Sequence, residues 1–147
     1  MAKIRITKEF SFEMAHALRN YDGPCRNIHG HSYKLFVTII GEPIKNDQHV
    51  KNGMLMDFGQ LKRLVNSKIV DVYDHAVVVY ENDERLAEMK NLFENIIATT
   101  YQPTCENMVG DFAAIINQEL PNELKVFSIR LYETATSYAE WYATDNE

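Results

Sequence analysis

Three histidines and one cysteine in the first quarter of the chain carry its clearest chemical potential. His29, Gly30 and His31 form an HxH triplet. If that segment is extended, its two imidazoles point to one face, about 6.5–7 Å apart along the strand. Rings so placed can lean onto one ion at Zn–N distances of about 2.0–2.1 Å. Gly30 leaves the opposite face open and eases bending there. Upstream, Phe10, Phe12, Met14 and His16 alternate, so a hairpin of the two segments lands His16 beside the pair. Three neutral imidazoles leave a fourth position on zinc for water or substrate, which is a catalytic rather than a structural arrangement. An HxH pair alone is equally the mark of surface or core histidines. Three of the five histidines in the chain can be placed together, and that favours a metal.

Cys25 lies four residues before His29 and next to Arg26. A metal or a guanidinium beside a thiol favours the thiolate, which can act as nucleophile or general base. As a fourth zinc ligand the same sulfur would close the site, and as a lone buried cysteine it would be inert. Cys105 has only the inert reading. Asp74-His75 is an acid–imidazole pair in which the carboxylate can orient the ring and stabilise its protonated form, although strand neighbours point to opposite sides. Glu133 ends a run in which Phe127, Ile129 and Leu131 alternate. A carboxylate on an apolar face is costly without a partner, which favours a ligand or an arginine, and paired N–H donors of a heterocycle such as a pterin or guanine would suit it. His49 reads as solvated, and Lys62, Arg63 and Lys68 as a solvated helix face.

The elements that must position these groups follow from periodicity. Alternation predicts strands over 4–16 and about 29–40, separated by the turn cluster Asn20, Tyr21, Asp22, Gly23 and Pro24. A polar loop over 41–53 leads to a helix starting at Asp57, where Gln60 three residues on makes a capping-box start. Phe58, Leu61, Leu64 and Val65 give that helix its apolar stripe. The stretch 76–101 is ambiguous: AVVVY suits a short strand or a buried loop, 84–93 a short helix, and Ile96 and Ile97 another short strand. Thr104 is a plausible N-cap for a helix with Val109, Phe112, Ala113, Ile116 and Leu120 inward, ended by Pro121. Strands over 125–133 and 137–143 follow, joined by a tight hairpin. The order strand, strand, helix, helix, strand, strand predicts an α+β fold: a four-stranded antiparallel sheet with helices on one face.

The composition sets outer bounds. The 147 residues fit one domain over 1–147. At 46% hydrophobic and 24% charged the chain is near the globular average, which excludes disorder, collagen and coiled coil. A formal net charge of −6, without a Lys/Arg block, argues against bulk nucleic-acid binding. No apolar run is long enough to cross a bilayer, and the N-terminus lacks the apolar core and cleavage site of a secretory signal. Two cysteines make no disulfide framework. A cytoplasmic protein with reduced thiols is expected. Seven Phe, eight Tyr and one Trp suit an extended sheet and a large interface.

FSFEMAH at 10–16, CRNIHGHSY at 25–33, GMLMDF at 53–58, DH at 74–75, PTCEN at 103–107 and LYET at 131–134 together resemble the 6-pyruvoyl-tetrahydropterin synthase / 6-carboxytetrahydropterin synthase family. These motifs span nearly the whole chain. The three-residue gap between Cys25 and His29 resembles the bacterial 6-carboxy-5,6,7,8-tetrahydropterin synthases of queuosine biosynthesis; the pyruvoyl enzymes usually have a longer gap. The resemblance implies zinc on His16, His29 and His31, Cys25 as catalytic proton acceptor, Asp74 and His75 as its acid–base partners, and Glu133 as pterin anchor or part of the proton relay. Thr104 and Glu106 fall where the family makes pterin-side contacts. The implied fold is the T-fold, β-β-α-α-β-β, with three sheets closing a barrel, two trimers stacking as a homohexamer, and the active site between subunits. The implied reaction converts 7,8-dihydroneopterin triphosphate to 6-carboxy-5,6,7,8-tetrahydropterin with loss of acetaldehyde and triphosphate. The alternatives are pyruvoyl formation without cleavage and a zinc- or pterin-binding protein without turnover. Arg19, Arg26 and Lys34 are local candidates for the triphosphate. The chain departs from the family's compact members in Tyr73, where Leu is common, and in a longer 76–101 stretch, expected at the rim of the site.

Overall fold

The structure, a computed structural model, describes residues 2–147. β1 (Ile4–Ala17) and β2 (His29–Gly41) form a long antiparallel hairpin in which Phe10 faces Leu35, Phe12 faces Tyr33 and His16 faces His29. β5 (Lys125–Thr134) pairs antiparallel with β2, and β6 (Ser137–Tyr142) with β5. The predicted strands are therefore present, with ends shifted by a residue or two.

The sheet is larger than the expected four antiparallel strands. β3 (Ala76–Tyr80) lies parallel to β1, and β4 (Ile96–Thr99) parallel to β3, giving six strands in the order β4-β3-β1-β2-β5-β6. The ambiguous 76–101 stretch thus widens the sheet beside β1, where only a rim insertion was expected. The physical reason lies in AVVVY. Ala76 and Val78 join the main core, whereas Val79 joins a second small cluster with Ala17 and Met89. A strand covered on both faces has no apolar/polar alternation to betray it.

The helices also divide between the two faces. α1 (Phe58–Val65) and α4 (Cys105–Glu119) bury Leu61, Val65, Met108, Phe112 and Ile116 against the face carrying Phe12, Tyr33, Leu35 and Leu131. Asp57 caps α1 by accepting from Gly59 N–H at 3.0 Å, and Gln60 returns the bond at 3.2 Å. α1 runs on through a π-helical turn, Asn66–Val70, into α2 (Asp71–Tyr73). α3 (Leu86–Leu92) packs Met89 on the other face, over β3. Phe58, predicted inward, is 53% exposed.

A β-bulge corrects one more expectation. Thr38 pairs with Ser128 but Ile39 pairs with Val126, so Phe127 is the extra residue. Val126 takes the buried face and Phe127 turns outward, under the Arg5 guanidinium at 3.7 Å from its ring centre. Ile129 and Leu131 stay inward, which keeps Glu133 on the face of the histidines. Among the described residues no helix is long and apolar enough to cross a membrane.

Candidate metal centre

The hairpin register builds the site. His16 sits directly across from His29, and His31 is two residues along β2 on the same face. The rings meet accordingly: His16 and His29 centroids are 4.5 Å apart, His29 and His31 5.0 Å, and His16 and His31 5.3 Å. β5 delivers Glu133 from the other side of β2. One ligand atom from each of His16, His29, His31 and Glu133 lies within 4.8 Å of all the others. Tyr33 floors the cluster, its ring 5.6 Å from that of His31 and stacked on Phe12 at 5.2 Å.

The protons on these rings are set by their outer partners. His16 Nδ1–H donates to the Pro103 carbonyl at 2.7 Å, and His29 Nδ1–H to the Asn27 carbonyl at 2.8 Å. A carbonyl can only accept, so each Nδ1 holds the proton and each Nε2 keeps a bare lone pair. Those two Nε2 atoms are 3.0 Å apart. Two lone pairs so close repel unless positive charge lies between them. His31 Nε2 is buried and lacks a hydrogen bond among the described residues, although Glu133 Oε1 approaches to 2.9 Å off the bonding direction. Two inward lone pairs and a third ring nitrogen, His31 Nε2, beside a carboxylate are a donor set that fits zinc. Pro103 and Asn27, which sequence reasoning did not single out, supply the outer bonds that orient two of the three rings. A backbone carbonyl has no sequence signature, so no signal could have found them.

Electrostatics agree with a cation-ready pocket. Burial pushes His31 below the ordinary imidazole range, with repulsion from His16 and His29 adding to it and Glu133 opposing.

The remaining predicted residues fall elsewhere. Cys25 is half-buried in a single 3-10 turn, Pro24–Arg26, just ahead of β2. Its carbonyl accepts from Leu18 N–H at 3.1 Å, which ties the turn to the end of β1. Thr104 caps α4, its hydroxyl accepting from Asn107 N–H at 3.2 Å, next to the Pro103 carbonyl that orients His16. Glu106 is exposed in the first turn of that helix. Cys105 is buried with its thiol on the Leu131 carbonyl, and burial pushes it up to about 11.

Asp74 and His75 form the expected pair, Asp74 Oδ2 accepting from His75 Nδ1–H at 2.9 Å. They also bracket one residue of β1. Asp74 Oδ1 accepts from Glu13 N–H at 2.8 Å, and His75 N–H donates to Glu13 O at 2.6 Å. The bond from Glu13 N–H, then that from His75, holds the Asp74 carboxyl low. His75 takes a left-handed backbone, φ 60°, unusual for a residue with a Cβ. Its ring is 78% exposed and borders a hollow of about 340 Å³ with Glu13, Gly30 and Ser32. Those three alternate with the inward residues Met14, His29, His31 and Tyr33. Within one chain, then, the Asp74–His75 pair opens on the opposite face of the hairpin from the histidine cluster.

Of the cations near the site, Arg19 is paired with Glu84 and Lys34 with Glu9, whereas Arg26 is exposed and makes no side-chain ion pair among the described residues.

The fold and the site have clear relatives. The chain is 38% identical to a 6-carboxy-5,6,7,8-tetrahydropterin synthase of Haemophilus influenzae, over 93% of this chain and 97% of that one. Among solved structures it superposes on an uncharacterized protein from Wolinella succinogenes with a TM-score of 0.80 at 20% identity, covering 97% of this chain and 99% of that one. It superposes on the 6-pyruvoyl tetrahydropterin synthase of Caenorhabditis elegans with a TM-score of 0.69 at 22% identity, over 97% of each. These likenesses place the sheet and its helices in the T-fold. The 6-pyruvoyl tetrahydropterin synthase family model matches residues 5–144, and with a relative this close over nearly its full length, the chain belongs to the 6-pyruvoyl tetrahydropterin synthase family of pterin enzymes.

Proposed function

We propose that this chain is a zinc-dependent 6-carboxy-5,6,7,8-tetrahydropterin synthase, converting 7,8-dihydroneopterin triphosphate with loss of acetaldehyde and triphosphate, on the route to queuosine. The observation that carries the proposal is the convergence of ring nitrogens from His16, His29 and His31. The curated relatives named for this activity and the three-residue gap from Cys25 to His29 support the carboxy product.

His16, His29 and His31 would hold the zinc, and a zinc bound there supplies Lewis acidity toward substrate oxygens. Cys25 takes a proton from the substrate side chain. Glu133 accepts N–H donors of the pterin ring and fixes the ring against the cluster, the positioning part of catalysis. Thr104 and Glu106, at the start of α4, are the further pterin-side contacts. Arg26 is the free cation best placed for the triphosphate.

The Asp74–His75 pair moves protons in a neighbouring subunit's site. Its exposure on the far face of the hairpin supports this, because a second copy can cover that hollow. The enzyme is accordingly a homohexamer of two stacked trimers, each chain one T-fold domain over 1–147, and it works in the cytoplasm without nucleic acid or membrane.

Incubation of zinc-loaded protein with 7,8-dihydroneopterin triphosphate, with mass identification of the products, tests the proposal. A carboxy-tetrahydropterin with acetaldehyde is expected. A pyruvoyl pterin without acetaldehyde would make it a pyruvoyl synthase, and unchanged substrate a binding protein.

A further inference from the structure

Three successive carbonyls of the turn that carries Cys25 are each held by a different part of the molecule. The Cys25 carbonyl accepts from Leu18 N–H, at the end of β1. The Asn27 carbonyl accepts from His29 Nδ1–H, inside the histidine cluster. Between them, the Arg26 carbonyl accepts from Arg85 Nη1. Arg85 belongs to neither strand of the hairpin. It sits in the 81–85 turn between β3 and α3, in the stretch that widens the sheet.

Arg85 is itself fixed. Its Nε–H donates to Asp83 Oδ1 at 2.9 Å and its Nη2 to Asp83 Oδ2 at 2.7 Å, a two-pronged pairing that locks the guanidinium plane. The Asp83 side chain is 0% exposed. Its backbone is held as well, with Asp83 N–H on the Tyr80 carbonyl at 2.9 Å and the Asp83 carbonyl accepting from Leu86 N–H at 3.1 Å. Alongside, Arg19 Nε donates to Glu84 Oε1 at 3.0 Å, and the Gln102 side chain bonds both Arg19 N–H and Arg19 C=O, at 3.1 and 2.8 Å. Residues 18–27 are thus stitched to 81–85 and 102 on one side and to His29 on the other.

A fully buried carboxylate bonded to an arginine is a poor device for stability alone, since an apolar pair of the same shape does as well or better. What Asp83 gives here is direction: two guanidinium nitrogens are occupied, and the third points at one peptide. Solvent water would satisfy the Arg26 carbonyl without fixing its position. We infer that Asp83 and Arg85 form a positioning pair that sets the Cys25 turn against the histidine cluster, so that the added β3–α3 segment governs how the thiol is presented to substrate. The inference deepens the proposed function and rests on Cys25 being the proton acceptor.

The test compares the Arg85→Ala, Arg85→Lys and Asp83→Ala/Arg85→Ala enzymes with wild type, all zinc-loaded. The double variant removes the orphaned buried carboxylate that could by itself prevent folding of the single one. Two quantities are read: kcat and KM on 7,8-dihydroneopterin triphosphate, and the rate at which iodoacetamide alkylates Cys25, followed by peptide mass. Misplacement of a reacting group by about 1 Å can cost on the order of a hundredfold. The expected result in the double variant is a kcat lowered at least about tenfold with KM within about threefold. Bound zinc should be unchanged and Cys25 alkylation several-fold faster. Arg85→Lys should resemble it, because an ammonium cannot fork Asp83 and reach the carbonyl together, and methylguanidinium should restore kcat to Arg85→Ala. A merely structural role would lower the melting temperature and move none of these.

Wild-type kcat and alkylation rate in the double variant would overturn the positioning pair. The Cys25 assignment fails separately, if Cys25→Ala keeps full turnover. The alkylation comparison needs no turnover, so it judges the pair even in that case.

Discussion

Zinc and His16→Ala should couple in a thermal-melting cycle, and the size of the coupling follows from the geometry. His16 contributes one of three inward Nε2 atoms, and its other nitrogen is committed to the Pro103 carbonyl at 2.7 Å. Removing a group that merely orients a ligand costs about 10–100-fold in metal affinity, so removing the ligand itself should cost at least about 100-fold. With free zinc at a thousand times the wild-type dissociation constant, binding stabilises the wild type by about 4.1 kcal/mol. At the same zinc concentration a hundredfold weaker variant retains only about 1.4 kcal/mol. A chain of this size shifts by about 2–4 °C per kcal/mol. Zinc should therefore raise the wild-type melting temperature by about 8–16 °C and that of His16→Ala by only about 3–6 °C.

The variant without zinc gives the control. His16→Ala also leaves the Pro103 carbonyl without its donor, at about 1–3 kcal/mol, and opens a hole beside Tyr33. Those losses appear with chelator present and cancel in the difference between zinc and chelator. Differential scanning calorimetry on both proteins, with zinc and with chelator, reads all four corners. If zinc shifts both proteins equally, or leaves the wild type where chelator does, the three rings do not share an ion and the metal argument is wrong.

Other outcomes follow from neighbouring groups. Cys25→Ala should lose turnover by about 10²–10⁴-fold, the usual range for a positioned proton acceptor, and keep its zinc by metal analysis; loss of zinc would instead make Cys25 a ligand. Glu133→Ala should keep zinc and lose about 10–150-fold in kcat/KM, the worth of one charged hydrogen bond. Loss of zinc there would mean that the carboxylate 2.9 Å from His31 closes the coordination sphere. Asp83, held low chiefly by its bonds from Arg85, adds stability above the ordinary carboxylate range, and that stability is lost as pH falls through its depressed folded value. The gap in urea midpoint between wild type and Asp83→Asn should accordingly be full near neutrality and shrink below about pH 4; a gap unchanged in acid would contradict the ion pair.

The histidine cluster was legible because its parts lie on strands, where period-two alternation fixes the face and a short hairpin fixes the partner. His16, His29 and His31 needed nothing more. Glu133 was legible for the same reason from Leu131 onward, although the bulge at Phe127 was not: a single extra residue leaves the apolar pattern intact while turning one side chain outward. β3 and β4 were ambiguous because Val78 and Val79 are buried on opposite faces, which erases the pattern that distinguishes a strand. The bonds from Arg85 and His29 to the Arg26 and Asn27 carbonyls were invisible. They join backbone oxygens to side chains, one of them 59 residues away, and no spacing rule reaches a carbonyl.

Asp74 and His75 illustrate a different limit. Their adjacency made the pair readable, and the structure holds them in hydrogen bond. What adjacency could not give is the side on which the pair emerges. That depends on the left-handed turn at His75, which follows from the His75 N–H reaching the Glu13 carbonyl at the point where β3 begins to run beside β1. The groups that would hold metal and ring stand on paired strands, whose registers allow no drift. The groups that would move protons, Cys25 and His75, stand on a single 3-10 turn and a strained residue, each tied down by side-chain and backbone bonds from outside its own element. A rigid ladder suits the first task, because ligand atoms must converge to fractions of an ångström. The second needs a side chain carried off the ladder toward a substrate on another face or another subunit, and only a turn can do that.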